Sequence, residues 1–232
     1  MAESTGILLL NAEDNDLSGL TITEEGSNDL TISSDSALHG SLGYELEFSG
    51  NTVENLLYFY KSFTAGADIY ARCYFYIPSN FDMSNSQLTI LGLNSTVSLA
   101  RPIFSILTGV IYLSRFYYYL NSGETYSAIS STPISRDEAH YLEIRFKSGN
   151  GDGVATVWLD GTEKSSITEL TNDNYQSDIV RAGNYGGAVP TAGSKIYIDD
   201  IKIDSSYIGA YAESGGSSLP AIINNYRQQG VM

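Results

Sequence analysis

The chain has 232 residues, 42% of them hydrophobic and 17% charged, and its 27 acidic and 12 basic side chains give a formal net charge of -15. That length and apolar fraction predict one large all-β domain rather than two small ones. Nucleic acid and anionic membrane surfaces are not expected partners, because each requires a basic patch, and no stretch has the length and apolarity of a membrane span.

The N-terminal Met1-Ala2-Glu3-Ser4-Thr5 has no basic region, and Gly6-Ile7-Leu8-Leu9-Leu10 is too short for a signal-peptide core. It reads as the first strand of a protein made and folded inside a cell. Strands are then predicted over 6–11, 20–23, 29–33, 41–48, 55–61, 67–77, 87–93, 103–107, 109–113, 115–120, 125–129, 140–147, 153–159, 179–183 and 195–204. Turn clusters separate them, including Ser49-Gly50-Asn51, Asn121-Ser122-Gly123 and Asp160-Gly161. The single cysteine, Cys73, falls on the apolar side of its strand and excludes an internal disulfide. The 18 tyrosines suit strands with one wet face. Many short strands with Gly, Asn and Ser turns predict a sandwich or jelly roll. Residues 1–213 form the predicted domain. Ser214-Gly215-Gly216-Ser217-Ser218 opens a linker, and residues 219–232 read either as a disordered end or as an arm that docks on a neighbouring subunit.

The closing segment, Lys195-Ile196-Tyr197-Ile198-Asp199-Asp200-Ile201-Lys202-Ile203-Asp204, alternates as a strand. Strict alternation puts Ile196, Ile198, Asp200 and Lys202 on one face, and Tyr197, Asp199, Ile201 and Ile203 on the other. Asp199 then lies on an otherwise apolar face and requires a cation, a metal or backbone donors.

Four fragments, in order, resemble the concanavalin A-like lectin/glucanase superfamily in its laminin G-like branch. They are Ala12-Glu13-Asp14-Asn15-Asp16-Leu17-Ser18-Gly19; Leu30-Thr31-Ile32-Ser33 with Ala37-Leu38-His39-Gly40-Ser41-Leu42-Gly43-Tyr44; His140–Phe146 with Ala155–Thr162, closing on the Asp160-Gly161 turn; and Tyr197–Ile203 with Tyr207-Ile208-Gly209. The resemblance implies a concanavalin A-like β-sandwich of two antiparallel sheets. It also implies a structural calcium held by Glu13 and Asp199 together with carbonyls near His39 and Gly40, a chemistry that suits oxygen ligands in irregular geometry.

A ligand face is expected from Arg72, Tyr74 and Tyr76 on one strand and Glu143, Arg145 and Trp158 on two others. Aromatic rings stack on sugars while Arg and Glu bond hydroxyls, although tyrosine-rich faces also serve protein interfaces. Tyr117-Tyr118-Tyr119 is ambiguous in the same way. No glucanase Glu-x-Asp-x-x-Glu motif, lyase cluster, P-loop or zinc spacing is found, and the alternating Glu45 and Glu47 read as a solvated face. The expectation is therefore a non-enzymatic viral structural protein: a capsid decoration or fibre protein of a bacteriophage virion, assembled with itself or other virion proteins and exposing a lectin-like surface. The alternative is a secreted carbohydrate-binding module or a polysaccharide lyase-like or glycosidase-like enzyme.

Overall fold

The computed structural model describes residues 7–50, 56–84, 87–95, 101–107, 112–120, 123–171, 176–185 and 189–211. For 83–84, 87, 101–107, 112–120, 123–133 and 189 it describes the backbone alone. The arm at 214–232 lies outside the described residues.

Among the described residues every element is a strand. In chain order these are β1 (Leu8–Leu10), β2 (Thr21–Glu24), β3 (Asp29–Ser33), β4 (Gly43–Phe48), β5 (Leu57–Gly66), β6 (Asp68–Tyr76), β7 (Met83–Ser84), β8 (Gln87–Asn94) and β9 (Arg101–Leu107). They continue with β10 (Tyr112–Leu120), β11 (Gly123–Pro133), β12 (Ala139–Lys147), β13 (Asn150–Leu159), β14 (Thr162–Thr171), β15 (Ser177–Asn184), β16 (Val189–Pro190) and β17 (Ser194–Asp204). The larger sheet runs β14-β13-β12-β6-β17-β4-β3, with β1 paired to the far end of β17; the smaller runs β11-β10-β9-β8-β15-β5-β2. All pairings are antiparallel, and β7 and β16 form a small ribbon of their own. The fold is the expected concanavalin A-like sandwich.

Alternation explains both faces. On β12 and β13, Leu142, Ile144, Phe146, Ala155, Val157 and Leu159 are buried between the sheets. Leu57 and Phe59 of β5, with Val180 and Ala182 of β15, meet them from the other side. Cys73 is a free thiol in this core, and burial raises its pKa far above the ordinary value.

The closing strand departs from strict alternation. Ile196, Ile198, Ile201 and Ile203 are all fully buried, so the inward position switches from even to odd numbers within one strand. The register against β6 shifts between Asp199 and Lys202, and Asp200 takes a left-handed φ of 48°. These are the marks of a β-bulge. Its consequence corrects the expectation for Asp199. Tyr197, Asp199 and Lys202 pair with Tyr76, Tyr74 and Arg72 on the sheet's outer face, whereas Ile201 and Ile203 turn into the core. The same parity switch occurs in β8, where Leu88 and Ile90, then Leu91 and Leu93, are all buried across a register shift.

The Asp160-Gly161 turn has the expected positive φ at both residues, 51° and 74°. It joins β13 to β14, a largely exposed edge strand that the sequence did not mark because its Thr, Glu, Lys and Ser residues show no apolar alternation.

Candidate functional site

The outer face of the larger sheet holds all six predicted ligand residues, but it divides into a covered part and an open part. After β17 the chain turns back over this face. The Glu143 carboxylate accepts the Ile208 and Gly209 amides at 2.8 and 2.9 Å. Arg72 donates to the Gly209 carbonyl at 3.0 Å and to Asp200 at 2.7 Å. The Tyr74 hydroxyl accepts the Tyr211 amide at 2.6 Å. Arg72, Glu143, Tyr74 and Tyr76 are buried as a result, with Arg72 and Glu143 at 0% exposure. Burial raises the Glu143 pKa, while the two amides and Arg72 pull it down. These four residues hold the chain's own backbone or bond within the fold, Tyr76 reaching Asp137 at 3.2 Å. Arg145 and Trp158 remain at the open margin. Arg145 forms a bidentate pair with Asp68 at 2.9 and 2.8 Å, and Trp158 stacks on Tyr70.

The two predicted metal residues converge on one loop. Asp199 accepts the amides of Leu38 and His39 at 2.9 and 2.8 Å through one oxygen and that of Asp200 at 2.7 Å through the other. Glu13 accepts the amides of Ser41 and Leu42 at 2.7 and 2.9 Å. Backbone donors, one of the partners Asp199 was expected to need, surround it. Among the described residues, no group of three or more His, Cys, Asp or Glu is placed to hold a metal.

His140 is a clamp. Its Nδ1 lies 2.7 Å from Asp160, and its Nε2 lies 3.1 Å from the Ser135 carbonyl and 3.0 Å from the Ser135 hydroxyl. Burial pushes its pKa down, but the Asp160 carboxylate outweighs this and the net shift is upward. With acceptors at both nitrogens the ring is built to be protonated rather than to activate the serine. The alternating Glu45 and Glu47 both reach Lys195, at 2.6 and 3.0 Å.

The outer face of the smaller sheet carries a cluster that the sequence reading missed. Tyr58 and Tyr60 alternate outward along β5, and their register partners on β15 are Gly183 and Arg181. The Arg181 guanidinium lies 5.5, 5.6 and 5.7 Å from the ring centres of Tyr58, Tyr60 and Tyr185. Among the described residues Arg181 has no carboxylate partner, unlike Arg72, Arg145, Lys147 and Lys195, and its buried Nε has no hydrogen-bond acceptor. Gly183 sits between Arg181 and Tyr185 with φ of 99°, and a Cβ there would lie 2.6 Å from the Leu57 carbonyl. Glycine thus lets β15 press against β5 and bring these side chains together. The signal lay in the alternation of 58/60 and 181/185, but it becomes legible only once β5 and β15 are known to pair across more than 100 residues. The Tyr117–Tyr119 run lies in β10, whose side chains are outside the described set.

No family model matches the chain, and no curated protein is similar to it in sequence. Solved structures share its fold. An endo-β-1,4-glucuronan lyase from the fungus Trichoderma reesei aligns with a TM-score of 0.63 at 13% identity, over 87% of this chain and 96% of that one. An alginate lyase from a Chlorella virus gives 0.63 and 13%, over 86% and 99%. Domain 4 of an extracellular arabinanase from Geobacillus stearothermophilus, solved with arabinotriose, gives 0.53 and 16%, over 95% and 97%. The fold is the concanavalin A-like jelly roll found in carbohydrate-active and carbohydrate-binding proteins. These neighbours overturn the expectation of a non-enzymatic virion decoration protein. That expectation rested on absent enzyme motifs for its non-enzymatic part and on fold analogy with a missing secretion signal for its virion part, whereas the neighbours whose fold this chain shares include polysaccharide lyases.

Two outcomes follow for the Asp199 loop. Burial pushes the Asp199 pKa up to about 7 from an ordinary 3.8, against the pull of its amide donors. Its contribution to stability is therefore present below about pH 4 and lost as pH rises through about 7. Burial, aided by Arg72, pushes His39 down to about 4 from 6.5, so its contribution is present above 6.5 and lost as pH falls through about 4. The two oppose each other between about pH 4 and 6.5. Relative to wild type, Asp199→Asn should make the melting temperature rise with pH across that window and His39→Gln should make it fall; unchanged profiles would contradict both assignments. Calcium at Glu13 and Asp199 is a proposal with a direct test. A chelator-dependent drop in melting temperature that Asp199→Ala abolishes supports it, and identical melting curves with and without chelator refute it.

Proposed function

We propose that this protein is a carbohydrate-active sandwich that binds an acidic polysaccharide on the outer face of its smaller sheet and cleaves it by β-elimination. The observation that carries this reading is the Arg181 guanidinium, framed by Tyr58, Tyr60 and Tyr185 and without a carboxylate partner among the described residues. Tyrosine rings offer sugar-stacking surfaces and hydroxyls, and a guanidinium is matched to a carboxylate in planar, bidentate geometry. The fold shared with glucuronan and alginate lyases supports the same reading.

The chemistry follows from the group that needs help. In a uronate residue the proton at C5 is α to the carboxylate and is acidified when that charge is neutralised. Arg181 supplies the neutralising charge. A tyrosine of the cluster, as its phenolate, takes the C5 proton, the C4–O bond breaks as the C4=C5 double bond forms, and the resulting phenol passes that proton to the departing oxygen. Tyr185 is the residue assigned to that proton transfer, because its ring lies against the Arg181 guanidinium and carries a phenolic oxygen.

The test is to incubate the protein with glucuronan and with alginate, following binding by calorimetry and the unsaturated product by its ultraviolet absorbance. Arg181→Ala should reduce binding at least tenfold, and Tyr185→Phe should retain binding while product formation falls at least a hundredfold, within the usual scale for a proton-transfer group. Unaltered binding by Arg181→Ala would overturn the site. Binding without any product from wild type would assign the same face to a binding module, the reading favoured by the arabinotriose-bound neighbour.

A further inference from the structure

The open margin of the larger sheet has its own construction. Tyr70 of β6 and Trp158 of β13 lie nearly parallel, with centroids 6.1 Å apart and an interplanar angle of 27°. Tyr207, on the segment that returns after β17, stands edge-on to both, 5.4 Å from Trp158 at 66° and 6.4 Å from Tyr70 at 83°. Floor and wall form a corner. Tyr207 is 47% exposed, the most exposed large hydrophobic side chain among the described residues.

The polar groups beside this corner differ from those around Arg181. Arg145 lies 5.2 Å over the Tyr70 ring and is already bidentate with Asp68. The pair carries no net charge, yet offers guanidinium donors and carboxylate acceptors side by side, partly exposed at 26% and 39%. The exposed Ser166 hydroxyl, 2.8 Å from that of the buried Thr156, lies on the next strand pair. Vicinal sugar hydroxyls need such mixed donors and acceptors, and the C–H face of a pyranose needs a ring to lie on. A carboxylate would gain little beside a cation that Asp68 has neutralised.

We propose that Tyr70, Trp158 and Tyr207, with the Arg145–Asp68 pair, form a second saccharide site selective for neutral sugars, on the sheet opposite the Arg181 cluster. It does not depend on the smaller-sheet reading. A chain with both sites would hold a neutral stretch of glycan on one face and an acidic one on the other.

Trp158 is the chain's single tryptophan, so emission excited selectively over the tyrosines reports on this corner alone. The experiment titrates full-length protein with cellohexaose, xylohexaose and mannohexaose while following Trp158 emission. The expected result is a saturable change with at least one of them. Tyr207→Ala should weaken it tenfold or more, Tyr207→Phe should preserve it, and Arg181→Ala should leave it unchanged. No emission change with any of the three sugars overturns the proposal. So does a change that follows protein concentration rather than sugar, because a second copy of the chain then covers the corner.

Discussion

The bulge at Asp199 and Asp200 is the constraint on which the larger sheet depends. Without it, Ile201 and Ile203 would face outward and Lys202 would face the core. With it, four isoleucines of one strand are buried and two adjacent carboxylates stand on the outer face. Each carboxylate then organises a segment distant in sequence. Asp199 gathers the amides of Leu38 and His39, more than 150 residues away, and Asp200 engages Arg72. Arg72 in turn helps Glu143 fold the returning chain onto the sheet. A buried ion pair of this kind adds little net stability over a well-packed apolar pair, but removing one partner typically costs about 3–5 kcal/mol. Its value here is positional: it fixes where residues 207–211 lie, and so which part of the face stays open.

Much of this was written locally in the sequence. The alternation of Leu142, Ile144 and Phe146 against Ala155, Val157 and Leu159, the Asp160-Gly161 turn and the strand at 29–33 all follow from nearest-neighbour rules. The order of fragments sufficed for the jelly roll. What misled was a parity rule applied through a bulge, although the change from Ile196 and Ile198 to Ile201 and Ile203 displays the switch in plain letters. The site was less legible. The predicted ligand residues Arg72 and Glu143 carry the right chemistry, but the chain's own continuation uses it, and no local pattern announces that a segment will fold back. Arg181, Tyr58 and Tyr60 meet only through a long-range pairing, which periodicity does not encode.

The two outer faces therefore divide the chemistry. Arg72, Arg145 and Lys195 of the larger sheet are matched to carboxylates: Arg72 to Asp200, Arg145 to Asp68, Lys195 to Glu45 and Glu47. On the smaller sheet Arg181, among the described residues, has aromatic rather than carboxylate partners, in a chain whose net charge is -15. A guanidinium without a carboxylate partner among the described residues is the feature on which the proposed binding of an anionic sugar rests, since charges beyond about 8 Å are largely screened at physiological salt.

The most direct measurement is amide chemical-shift mapping of the full chain as a glucuronate oligosaccharide is added. The account predicts perturbations centred on β5 and β15, around Tyr58, Tyr60, Arg181 and Tyr185, with β6, β12 and β13 unmoved. Perturbations centred on Arg72, Glu143 and Trp158 instead would contradict it.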